Sequence, residues 1–373
     1  MNSKKKILIV GAFPPQNSKI VGGQLTACKT LINSQLSEIF NIITVDSTQK
    51  TNPPQSFNIR LILAIFRFSK WFFMLIKHRP KAVLLFFASG ASAVEKGLMV
   101  KVCNILKIPV IILPRAEALI VDYYQSKIWK KLITFLFKNT NFVICQGQKF
   151  QKFFLEEIKI SEHQIQIVNN WTASSDLLAL GNSREYFHTE LPVEILFLAW
   201  VEETKGIFDL LNACEILQTR QTNFNLTIAG DGTALERAKS VVAEKSLTNK
   251  VNFVGWVHDK EKNELLKRHD IFCLPSWSEG FPNSLVESLA AGLACVVTDV
   301  GSISDTVKSK KNAVLVSPQS PHQLADVLEN LVQNPSSRKK IASKGHALAL
   351  EKFSSQKNVE KISQLLFKLI GQH

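Results

Sequence analysis

Two carboxylates eight positions apart, Glu279 and Glu287, frame the segment SEGFPNSLVE, and a lysine-glycine pair, Lys205-Gly206, lies upstream of them. The segment reads as a loop running into a helix that begins near Asn283. A helix start directs amide N–H groups and the positive end of its dipole toward the preceding loop, where a diphosphate can sit. Glu287 then falls just over one turn inside the helix, on the face looking along the same cleft, and Glu279 stays on the loop. One carboxylate is placed to meet a ribose and the other a hexose, which suits a nucleotide sugar. The bland alternative makes Glu287 a solvated helix residue and Glu279 a loop charge.

The surroundings sharpen the pattern. FCLPSWSEGFPNSLVESLAAGLACVVTDVGS continues as strand, loop, helix, strand and glycine turn. This block resembles the family 4 (group 1) retaining glycosyltransferases of the two-domain GT-B fold, most strongly over residues 193–318 and more weakly over the amino-terminal half. The resemblance implies an α/β architecture of two Rossmann-like, doubly wound parallel-sheet domains facing across a cleft, with the last helix crossing back to the first domain. It places the transferred sugar at Glu279, the nucleotide ribose at Glu287 and the donor phosphate at Lys205. The donor would also meet Phe281, Pro282, Asn283, Ser284 and Leu285 at the helix start, Gly230 in a Gly-Asp-Gly turn, and Gly22 and Gly23 in the first domain. Asp231, within that turn, either serves the site or caps the helix containing Leu235.

Two positions depart from the family pattern. Five residues before Lys205, where relatives carry an arginine that shares the diphosphate charge, this chain has Trp200. Where many relatives have a histidine near the acceptor, LPRAEAL puts Arg115, as in a subset with Pro-Arg-Gly. Arg115 is read either as a contact to an acceptor phosphate or the diphosphate, or as a salt-bridge partner of Glu117 or Asp122.

No Asp-x-Asp pair of the metal-holding kind occurs, so no metal or other cofactor is expected, and phosphate charge falls to lysine, arginine and backbone amides. The six cysteines, 28, 103, 145, 214, 273 and 295, stand singly in apolar patterns, which suits small buried residues in a reducing compartment. Lys4, Lys5 and Lys6 precede too short an apolar run for a secretory signal, so a cytoplasmic location is expected.

Charge is one-sided. Residues 1–180 hold 23 Lys+Arg against 9 Asp+Glu, and residues 181–373 hold 22 against 22, so the whole excess of +14 lies in the first half. Such a field suits an anionic surface. Nucleic acid is not expected as partner, since no zinc finger, aromatic RNA-binding strand or basic fork accompanies the charge. Residues 57–81 instead read as an interfacial helix in which Arg60, Arg67, Lys70, Lys77 and His78 share an arc of about 100°, beside Phe66, Trp71, Phe72 and Phe73. The basic edge, with Lys127, Lys130, Lys131 and Lys138, is read as contact with the inner face of an anionic membrane, and the apolar face equally as domain core. Arginine and lysine interrupt any run long enough to span a bilayer.

With 373 residues and 46% apolar content, the chain divides into 1–170, a link over 171–192, 193–354 and a final helix over 355–373. Apolar runs at 6–10, 83–88, 110–113, 142–145 and 166–168, then 194–199, 225–229, 251–254, 271–274 and 294–298, read as buried parallel strands. The function implied by the resemblance is retaining transfer of a hexose-type sugar from a nucleotide-sugar donor to a glycan or lipid-linked acceptor, as in bacterial O-antigen, capsule or exopolysaccharide synthesis. The alternatives are a catalytically silent partner that binds nucleotide sugar or glycan, and another GT-B reaction such as nucleotide-sugar epimerisation.

Overall fold

Short runs rich in Val, Ile, Leu and Phe, closed to water along the inner strands, form two parallel sheets in a computed structural model that describes residues 4–14, 23–48, 56–184 and 192–371. The first sheet comprises β1 (Lys6–Gly11), β2 (Asn41–Asp46), β3 (Ala82–Phe87), β4 (Val110–Pro114), β5 (Phe142–Cys145) and β6 (Ile165–Ile167), in the order β2-β1-β3-β4-β5-β6. The second comprises β7 (Val193–Leu198), β8 (Phe224–Ala229), β9 (Val251–Gly255), β10 (Ile271–Leu274), β11 (Ala294–Thr298) and β12 (Val314–Val316), in the order β12-β11-β10-β7-β8-β9. Each is doubly wound: the chain starts at an inner strand, builds outward on one side and returns to build on the other. In the second sheet the winding reverses between β7 and β10, which pair directly.

Two strands were not anticipated. β2 is partly exposed along most of its length and lacks an unbroken apolar run, and β12 is only three residues long.

The chain forms two units, one ending at Trp171 and resuming at Ser355, the other running from Thr172 to Ser354. The stretch read as a link, 171–192, therefore carries more structure than expected: Ser175–Asn182 is a helix, capped by the Ser174 side chain at Leu177 N, and it packs within the second unit against the helix Asn283–Ala290. In the first unit one sheet face is covered by the helices Phe57–His78, Ala91–Ile105 and Lys127–Phe137. The other face is covered by Gly23–Ile32 and by the final helix Ser355–Gly371, whose Ile362, Leu365, Leu366 and Leu369 are buried with Ile7, Ile9, Leu84 and Phe86.

Because Leu366 of that helix is fully buried against this sheet face, Leu366→Ala is expected to destabilise the first unit by about 2–5 kcal/mol. Hydrogen exchange checks this: amides of β1 and β3 should exchange sooner, and those of β7 and β8 should keep their rates.

Candidate active site

The second unit brings Lys205 and Glu279 together where β7 and β10 end. After β7, one turn of helix over Glu203–Lys205 leads to Gly206, which is left-handed with φ of 72° and starts the helix Ile207–Thr219. A Cβ at Gly206 would overlap the Pro275 carbonyl oxygen, so the two loops touch backbone to backbone. Trp277 ties them further, its N–H donating to Thr204 O at 2.8 Å and its indole Nε1 to Asp209 Oδ2 at 2.7 Å. Across this seam Lys205 Nζ lies 2.6 Å from Glu279 Oε1, which also accepts from Ser276 Oγ at 2.9 Å. Both side chains remain partly open to solvent, 24% for Lys205 and 11% for Glu279.

Phe281 and Pro282 follow in the loop, and Asn283, Ser284 and Leu285 open the helix Asn283–Ala290, with Pro282 at the cap position and no acidic residue in the first turn. The positive end of that helix is thus left without a neutralising carboxylate of its own. Residues 285–290 are all buried, Glu287 among them at 4% exposure. Its Oε1 meets Lys262 Nζ at 2.8 Å, from the helix Asp259–Arg268. Burial pushes the Glu287 carboxyl upward, and Lys262 opposes that shift. Sequence reading missed Lys262, because a lone lysine on a polar helix carries no signal until the fold brings it beside an acid twenty-five positions away.

The Gly230-Asp231-Gly232 turn lies against the end of β7: Val201 N donates to Asp231 O at 2.9 Å and Gly230 N to Gly255 O at 2.8 Å. Asp231 does not cap the following helix, Leu235–Glu244; its carboxylate accepts from Gly232 N at 2.7 Å. Trp200, half-buried, turns its ring toward Trp256, with centroids 5.1 Å apart. Among the described residues the six cysteines are all buried free thiols.

In the first unit, Gly22 lies outside the described residues and Gly23 begins the helix Gly23–Ile32. Arg115 follows β4, its N–H donating to Phe87 O at 2.8 Å and its guanidinium lying 4.9 Å from the ring of Trp171. The salt bridge to Glu117 or Asp122 is not formed. Glu117 pairs with Lys149, and Asp122 accepts from Gly90 N at 2.7 Å. Desolvation brings the Arg115 pKa down to about 10, so the group is still cationic at neutral pH, and no described carboxylate pairs with it.

The helix Phe57–His78 differs from its sequence reading in two respects. Arg67 does not stand with the other cations at the surface. It forks onto Glu95, Nε to Oε1 at 2.6 Å and Nη2 to Oε2 at 2.7 Å, and the buried Lys96 joins Glu95 Oε2 at 2.9 Å. Arg67 and Lys96 hold the Glu95 carboxyl below the usual range despite its burial. The apolar side, in turn, is mostly outside the core: Trp71 and Leu75 are buried, whereas Ile59, Ile62, Ile65, Phe66, Phe73 and Ile76 are 46–70% exposed. Among the described residues no helix is long and apolar enough to cross a membrane.

Residues 182–348 match the family described as glycosyl transferases group 1. An amylovoran biosynthesis glycosyltransferase of Erwinia amylovora is 27% identical over 202 residues, 51% of this chain and 50% of that protein. The matched stretch thus spans about half the length of the first curated relatives. Among solved structures, a sucrose-phosphate synthase from Thermosynechococcus elongatus aligns with a TM-score of 0.77 at 15% identity, covering 99% of this chain and 100% of that one. Anabaena HepE, in complex with UDP and glucose, aligns with a TM-score of 0.71 at 15% identity, covering 98% and 100%. At such identities the shared backbone establishes the GT-B fold and leaves the chemistry to the side chains.

The seam at Gly206 generates a test. Gly206→Ala combines left-handed strain with a collision at Pro275 O, whereas Gly255→Ala, at φ of 70° with open space around it, carries the strain alone. In thermal unfolding, Gly206→Ala is expected to cost more than about 1 kcal/mol and more than Gly255→Ala.

Proposed function

We infer that this chain, whose residues 182–348 match the group 1 glycosyl transferases, moves a hexose-type sugar from a nucleoside diphosphate to a glycan or lipid-linked acceptor, with retained anomeric configuration, in bacterial surface polysaccharide synthesis. The observation that carries this reading is the meeting of Lys205 and Glu279, 2.6 Å apart, in the loops after the two strands that flank the winding reversal of the second sheet. Open α/β sheets bind ligands at that point. The amylovoran enzyme supports the polysaccharide context, and HepE, with UDP and glucose bound, supports a nucleotide-sugar donor.

In this reading Lys205 moves from Glu279 to the diphosphate, the helix start at Asn283 adds partial positive charge, and Glu279 turns to the sugar hydroxyls. The anomeric carbon–oxygen bond to phosphate breaks as the acceptor oxygen bonds the same face of that carbon, and the acceptor proton passes to the departing phosphate oxygen. Cations and amides stabilise the leaving charge, and no metal ion is assigned a part. Arg115, cationic and without a described carboxylate partner, suits an acceptor phosphate. Trp200 favours a second reading, a silent sugar-nucleotide-binding partner, since the expected arginine is missing there.

A lipid-linked acceptor implies peripheral attachment at the inner membrane face. The first unit supports it: the helix Phe57–His78 exposes Phe66 and Phe73 beside Arg60, Lys70 and Lys77, none with a described carboxylate partner, and Lys127–Phe137 exposes Ile128 and Phe135. Such apolar exposure with basic flanks fits an interfacial surface.

A thermal-shift series with UDP, GDP, ADP and their sugar conjugates tests the donor site. At about 100 times Kd one nucleotide is expected to add about 2.7 kcal/mol, raising the Tm of a unit of this size by about 5–10 °C, and Glu287→Ala should abolish the shift. With the nucleotide bound and no transfer to any lipid-linked acceptor fraction, the silent reading replaces the enzymatic one. Sedimentation with phosphatidylglycerol vesicles should capture the protein, and Phe66→Glu/Phe73→Glu should release it; equal recovery in the supernatant for parent and variant sinks the attachment.

A further inference from the structure

We propose that Lys262 is a positioning residue for Glu287, the counter-charge that keeps a buried carboxylate fixed and able to accept ribose hydroxyls, so that it sets nucleotide affinity without itself touching the nucleotide. The inference rests on the reading of Glu287 as the ribose contact.

Its basis is the geometry of the pair. Glu287 belongs to a helix segment, 285–290, buried at every position, and is itself 4% exposed. Charge at such a place persists only when paired. The charged groups facing it are Lys262, 2.8 Å away, and Asp259, both on the helix Asp259–Arg268, and Asp259 works against ionisation. On other elements packed against this helix, His346 Nδ1 meets Ala290 O and Arg184 Nε donates to Ala291 O, both at its far end. Lys262 is therefore the one described cation that holds the carboxylate charged. It occupies Oε1 alone, and Oε2 has no described protein partner. A nearly buried carboxylate with one oxygen anchored and the other unclaimed is arranged as an acceptor for a ligand donor. The lysine side chain is itself 16% exposed, so the pair sits at the rim of the core rather than within it.

The sign of the consequence follows from linkage. Without Lys262, burial and Asp259 raise the carboxyl's pKa further, and the neutral acid no longer accepts from two hydroxyls. Binding then requires loss of a proton and weakens as pH falls.

The experiment is calorimetric titration of parent, Lys262→Met, Lys262→Gln and Lys262→Arg with whichever of UDP, GDP or ADP the parent binds, between about pH 6 and pH 8.5. The ratio of variant to parent Kd cancels the titration of the nucleotide's own phosphate. For Lys262→Met and Lys262→Gln the ratio is expected to climb toward low pH, approaching about tenfold per pH unit. Lys262→Arg should restore a flat ratio near that of the parent, and Lys262→Gln/Glu287→Gln should be flat and weak, since no carboxyl is left to titrate. A ratio that is large but constant with pH in Lys262→Gln overturns the proposal, because a lysine that contacts phosphate or merely supports the fold gives that result. If the parent binds none of the three nucleotides, the donor-site reading itself fails and takes this inference with it. A pH-independent ratio with normal binding by the parent sinks only the role given to Lys262.

Discussion

Every described strand pairing in both sheets is parallel. A parallel ladder cannot close through a tight turn, so each strand returns by a helix, and helices end up on both faces. The consequence for chemistry is severe. With the inner strands sealed above and below, ionisable groups carried by the loops converge where strands end, and the carboxyl ends at the winding reversal leave the widest opening between outgoing loops. Lys205 follows β7 and Glu279 follows β10, neighbours in the sheet although far apart in the chain. Their meeting is a product of topology before it is one of side-chain preference.

Electrostatically the second unit is self-balanced at this opening, Lys205 with Glu279 and Lys262 with Glu287. Unit charges about 4 Å apart attract by about 4 kcal/mol at an effective dielectric of about 20. In the proposed donor-bound state a diphosphate would offer Lys205 more charge than a single carboxylate does, and the exchange would free Glu279 to accept hydrogen bonds. Trp200, where the family pattern has an arginine, adds no second cation there, which would leave the amide dipoles at the helix start of Asn283 to supply further positive charge.

The two-sheet architecture was legible because short apolar-rich runs alternate with helical segments, and ten of the twelve described strands announced themselves this way. β2 did not, being half solvated, nor did β12, too short for any period. The helix Ser175–Asn182 was read as link because its Ser, Gly and Asn content resembles loop composition, while what folds it is packing against Asn283–Ala290. Of the candidate site, Glu279, Glu287 and Lys205 were singled out by spacing and family pattern. Lys262 was not, since a pairing across two helices leaves no trace in local sequence. Arg115 shows the converse: its nearest acids in sequence, Glu117 and Asp122, are committed elsewhere, and its partner is Trp171.

Arg67 carries the same lesson to the surface of the first unit. A helical wheel places it with Arg60, Lys70 and Lys77, but Glu95 draws it inward, so charge on that helix is thinner than its sequence suggests. The exposed apolar surface is correspondingly richer, with seven large described side chains of that helix 46–70% exposed. Burying a side chain of that size is worth about 1.5–3 kcal/mol, whereas a lysine near an anionic bilayer contributes about 1 kcal/mol. Attachment through this surface would thus be driven by insertion, with the remaining cations selecting anionic lipid. A weak dependence on salt is the natural companion of such a balance, because screening acts on the smaller of the two contributions.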